Sequence, residues 1–95
     1  MSSRRESTAL NKKQSETLKA IFDDPVRADI AWRDFESMLR VLGAQVTKGR
    51  GSVRRVLLND EVGIFHEPHP KKVLKKWAVR YARGFLSNAG IDSSE

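Results

Sequence analysis

A chain of 95 residues with a formal net charge of +6 is sized for one domain around a modest core. It contains no cysteine, which excludes disulfide frames, thiolate metal sites and cysteine nucleophiles, and suits a reducing, cytoplasmic setting. No stretch approaches the roughly 20 apolar residues of a membrane span, and the opening MSSRRESTALNKKQ lacks the apolar segment of a secretory signal.

Residues 1–10 are polar and charged, and a disordered tail is expected there. Leu18, Ile21 and Phe22 then fall at i, i+3, i+4, which predicts a helix over Lys12–Phe22. Asp23-Asp24-Pro25 stops it, because Pro25 disfavours helical geometry at Asp24. Residues 11–30 thus form an N-terminal helix and loop. A second helix, Ala31–Leu42, puts Phe35, Met38, Leu39 and Leu42 on one face and stops at Gly43. Ala44, Val46 and Lys48 alternate with Gln45 and Thr47, the pattern of a strand. Ser52–Leu58 and Val62–His66 read as an antiparallel hairpin around Asn59-Asp60-Glu61, with Val62 and Ile64 on one side and Phe65 on the other.

The last helix is expected over Lys71–Asn88, with Pro70 pre-setting its first turn and Gly90 ending it. At about 100° per residue, Val73, Leu74, Trp77, Ala78, Tyr81 and Phe85 share one arc, and the basic residues take the other. The aromatic stripe Trp77, Tyr81, Phe85 offers a stacking platform for bases, but i, i+4, i+8 spacing is the inward face. Core packing is therefore expected, and Trp77→Ala would cost roughly 3–5 kcal/mol. Val79 and Leu86 break the pattern. The whole is an α+β domain, α-β-β-β-α, with a three-stranded antiparallel sheet and an extra N-terminal helix. Both long helices cover one face of the sheet, and the other face is left for a partner.

Ten of the eighteen basic residues lie in two acid-free blocks, residues 48–58 and 71–83. Clustering of that kind marks a polyanion site, since each neutralised phosphate releases counterions. The Gly49–Ser52 turn frees backbone N–H groups beside them. The phosphate-binding candidates are Arg50, Gly51, Ser52, Arg54, Arg55, Lys71, Lys72 and Lys75. Both histidines, His66 and His69, stand between the blocks and are the acid–base candidates, because imidazole titrates near neutrality. Alternation puts His66 on the Val62 side, where a hydrogen-bonded structural role competes with catalysis. His69, at a helix start, is expected to be exposed and its basicity lowered by the helix N-terminus. Two histidines three apart with prolines between make a poor metal cage, so no metal or cofactor is expected.

The helix ending LRVLGA, the strand behind it, Gly51-Ser52, the hairpin, Pro68-His69-Pro70 and the Lys-rich last helix ending FLSNAGI together resemble HicA, over about residues 31–91. HicA proteins are small mRNA-interferase toxins of bacterial type II toxin–antitoxin pairs, with a fold like the double-stranded-RNA-binding domain. The resemblance implies a metal-free endoribonuclease acting on mRNA and a HicB-type antitoxin covering its site. It also implies a histidine directly after the Gly-Ser pair. This chain departs from that pattern, with Val53 there instead. Valine transfers no proton and Arg54 stays protonated. Either His66 or His69 supplies the acid–base chemistry with arginine stabilising the charged phosphate, or the chain is a catalytically impaired RNA-binding or antitoxin-binding module.

Overall fold

The structure is a computed structural model that describes residues 10–94. Of the expected disordered tail, residues 1–9 lie outside the described residues. Leu10 is half-buried against the core. In chain order the elements are α1 (Lys12–Ile21), α2 (Trp32–Val41), β1 (Gln45–Lys48), β2 (Val53–Leu58), β3 (Glu61–His66) and α3 (Lys76–Asn88). This is the expected α-β-β-β-α order behind an additional N-terminal helix.

Local chemistry sets the start of α1. Asn11 accepts from the Gln14 N–H at 2.7 Å, and Gln14 Oε1 accepts from the Asn11 N–H at 2.9 Å, a reciprocal cap that satisfies two otherwise free donors. Leu18 and Ile21 of α1 are fully buried in the same cluster as Phe35, Met38 and Leu39 of α2, so the extra helix is part of the core. Arg83 of α3 secures its far end. Its guanidinium donates to the carbonyl of Ile21 at 2.6 Å and to that of Asp23. Such charge-assisted bonds to backbone carbonyls are stronger than neutral ones. Arg83 therefore leaves the cationic block in which the sequence placed it.

The sheet is antiparallel, in the order β1-β2-β3. The hairpin turn is shorter than expected: only Asn59 and Asp60 leave the ladder, both with left-handed φ (50° and 70°), and Glu61 already pairs with Leu58. Asn59 Nδ2 donates to the Ala89 carbonyl at 2.9 Å, tying this turn to the end of α3. Val56, Leu58 and Phe65 face inward under the helices. Phe65 is the hub, with edge-on partners Phe35 at 5.3 Å and Phe85 at 5.7 Å between ring centroids. Gly63 is small for the same reason: a Cβ there would meet Phe85 ring carbons at 2.8 and 2.9 Å. Leu57, Val62 and Ile64 are exposed on the opposite face of the sheet.

The last helix differs from expectation in start and in phase. Residues 71–75 run extended beside the start of α2: the Trp32 N–H donates to the Lys72 carbonyl at 2.9 Å, and the Leu74 N–H to the Ile30 carbonyl at 2.8 Å. Trp32 is the first residue of α2, so this pairing satisfies a donor that has no partner within that helix. Pairing with residues 30–32 thus replaces the turn of helix expected after Pro70. With α3 beginning at Lys76, its buried face is Ala78, Val79, Ala82, Phe85 and Leu86. Val79 and Leu86, the expected exceptions, are fully buried, whereas Trp77 is 60% exposed and Tyr81 43%. The Tyr81 ring lies edge-on to Phe65 at 5.1 Å, and its hydroxyl accepts from the Ile64 N–H at 3.0 Å. Trp77 is a surface residue, so the core cost expected for Trp77→Ala does not apply.

Candidate nucleic-acid interface

The site is built where β2 begins and β3 ends. Gly51 takes a left-handed φ of 57°, which reverses the chain so that the Val53 N–H donates back to the Arg50 carbonyl at 3.0 Å. Beyond β3, the Glu67 N–H donates to the Ser52 carbonyl at 2.8 Å, extending the pairing past the strands. These backbone bonds hold the segment 66–72 against the Gly-Ser turn.

One carboxylate then organises the cations. Arg54, its side chain 13% exposed, donates from Nη2 to Glu67 Oε1 at 2.7 Å, and Lys72 Nζ donates to Glu67 Oε2 at 3.1 Å. The other guanidinium nitrogen of Arg54, Nη1, donates to the carbonyls of Gly51 at 3.1 Å and Val53 at 2.8 Å. Arg54 is thus committed to the turn as a clamp, while Lys72 keeps its head largely in solvent. The hydrogen bond from Lys72, helped by Arg54, holds the Glu67 carboxyl below the ordinary carboxylate range against the opposing effect of desolvation. Two cations around one anion leave the cluster net positive.

Two adjoining concavities open here. A cleft of about 260 Å³ is lined by Gly51, Ser52, Arg54, Glu67, Pro68, His69 and Lys72. A groove of about 830 Å³ shares Ser52, Glu67, Pro68 and His69 with it and adds His66, Lys71, Lys75 and Trp77. The structure therefore brings together eight of the predicted residues: Gly51, Ser52, Arg54, His66, His69, Lys71, Lys72 and Lys75. Arg50 lines neither space, and Arg55 points from the outer sheet face, opposite Thr47 and Ile64 in the register. A third depression, about 430 Å³ beside α1, shares no lining residue with these two. Its cations are answered by acids, as in the Lys13–Asp34 and Arg27–Asp29 pairs.

Both histidines are exposed. His69 stands seven residues before Lys76, so the predicted influence of a helix N-terminus on it does not apply. His66 is directly opposite Val53 in the β2–β3 register. Cross-strand neighbours hold their Cβ atoms about 4.5–5.5 Å apart on one face. Among the described residues, no group of three or more Asp, Glu or His side chains is placed to hold a metal ion.

Sequence reasoning missed two participants. Glu67 was visible as the one acid between Val62 and Ile91, a lone carboxylate set between two basic blocks. Trp77 stood in an aromatic stripe with Tyr81 and Phe85 that could stack bases, but its helical spacing assigned it to the core instead.

The class of protein is now defined: a small basic α+β domain with a cationic cleft at one end of its hairpin. A profile described as the HicA toxin of bacterial toxin–antitoxin systems matches residues 32–91, more than half of the chain, and the protein belongs to that family. The match begins with α2 and omits α1. Searches of curated proteins and of solved structures gave no match. No helix among the described residues is long and apolar enough to cross a membrane.

Proposed function

We propose that this HicA-family toxin binds mRNA in the cytoplasm and cleaves it by acid–base chemistry that uses His66 and His69, and that a HicB-type antitoxin restrains it. The observation that carries this reading is the register: His66 faces Val53 across the hairpin, so an imidazole is supplied from the neighbouring strand where the family pattern has one after Gly-Ser. His66 shares its groove with His69 and Ser52, and Lys71 and Lys75 line the same space.

The chemistry follows from that arrangement. One neutral imidazole removes the 2′-hydroxyl proton as the 2′-oxygen attacks phosphorus. The P–O5′ bond breaks, and the other imidazole, protonated, delivers a proton to the leaving 5′-oxygen. Lys72 and Lys71 offset the charge that grows on the phosphate oxygens. The products are a 2′,3′-cyclic phosphate and a 5′-hydroxyl. The exposed apolar face with Leu57, Val62 and Ile64, on which strand alternation also puts His66, supports a protein partner for that side of the sheet.

The test is RNA cleavage by the purified chain in EDTA. His66→Ala and His69→Ala should each slow it by roughly 10²–10⁴-fold, and Val53→His should raise it. Val53 itself favours a second reading, an RNA-binding module without turnover. RNA that stays bound and intact at high protein concentration would establish that one instead.

A further inference from the structure

The groove beside the histidines has an apolar side that phosphate binding does not use. Trp77, Val73, Leu74 and Pro70 line it, with Lys71, Lys75 and Lys76 among the same lining residues. Trp77 is 60% exposed, the most open of the large hydrophobic side chains. The other tryptophan, Trp32, is 3% exposed and donates from Nε1 to Glu36 at 3.1 Å, so Trp77 is the solvent-facing indole of the pair. The one carboxylate lining the groove, Glu67, is already bonded to Arg54 and Lys72. Among the described residues, Lys71, Lys75 and Lys76 thus face no competing anion within the groove. A flat aromatic surface among lysines matches a nucleotide, which has an apolar π-face and an anionic backbone. An acidic peptide would satisfy the lysines but has no general use for the indole.

We propose that this groove holds one unpaired nucleotide of the RNA, its base stacked on Trp77 and its neighbouring phosphates on Lys71, Lys75 and Lys76. A base within a duplex has both faces covered by its neighbours, so the subsite selects single-stranded RNA. The inference rests on the RNA reading above and adds to it the strand form and the residue that grips the base.

Titration of the full chain with a 12-nucleotide single-stranded RNA, followed by tryptophan fluorescence and by anisotropy of a labelled strand, tests it. Stacking should quench Trp77 emission on binding. Trp77→Ala should weaken binding by roughly 5- to 150-fold with no change in salt slope, since no phosphate contact is lost. Trp77→Phe should recover most of that loss, and an RNA hairpin with no unpaired segment should bind without quenching. Because Trp77 is exposed, its variants keep the wild-type melting temperature, which separates lost stacking from lost folding. Equal affinity of wild type and Trp77→Ala for the single strand would overturn the inference yet leave RNA binding standing, and would mark the indole as a contact for another partner. Absence of any RNA binding by the wild type would overturn both.

Discussion

At the scale of single residues, Glu67 decides how the cations are deployed. Its carboxylate engages Arg54 and Lys72 together, and Arg54 in turn grips the carbonyls of Gly51 and Val53. Folding lowers the pKa of Glu67, so this carboxylate contributes stability above its unfolded pKa, and the contribution is lost as pH falls through the folded pKa. Melting temperatures of wild type and Glu67→Gln measured across pH should therefore differ most near neutrality and converge only in acid below the ordinary glutamate value of about 4.3. A difference that grew toward acid would contradict the assignment. None of this was legible from the chain alone. Composition shows Arg54 as a cation among cations, and only the folded structure shows its charge spent inside the protein. The two basic blocks, the Gly-Ser turn and the pair of histidines were legible, because clustering by charge survives without knowledge of the fold.

At the scale of elements, periodicity located α1, α2 and the hairpin, since Leu18, Ile21, Phe35, Met38 and Leu39 could reach a core only at helical spacing. It failed for α3. Lys71–Lys75 have a composition that a helix accepts, and nothing local announces their pairing with residues 30–32. Counting the helix from Lys71 placed Val73 and Leu74 on it, and the arc drawn through them took in Trp77 and Tyr81. The buried face, led by Val79 and Leu86, is rotated from that arc. The family match omits α1, yet α1 shares the core. Leu18→Ala should therefore cost about 2–5 kcal/mol, as for a deep core leucine, in urea unfolding of the full chain. A cost below about 0.5 kcal/mol would make α1 a surface appendage.

At the scale of the whole molecule, the question is which cations share a surface. Lys71, Lys72 and Lys75 line the two adjoining concavities, whereas Arg55 lies on the outer sheet face and Arg83 is occupied by α1. Single-stranded RNA affinity against salt on logarithmic axes should flatten by about 0.7 for Lys72→Ala, the loss of one phosphate contact. Arg55→Ala should leave the slope unchanged. Equal effects of the two would mean that net charge, and not position, governs binding.

Tyr81 has a consequence at this scale too. As an edge strand, β3 presents outward-pointing amides that could recruit a foreign chain into cross-β growth. A phenol already seated on the Ile64 N–H forces any newcomer to evict it before zippering can begin. The apolar sheet thus carries a lock along one of its two open borders.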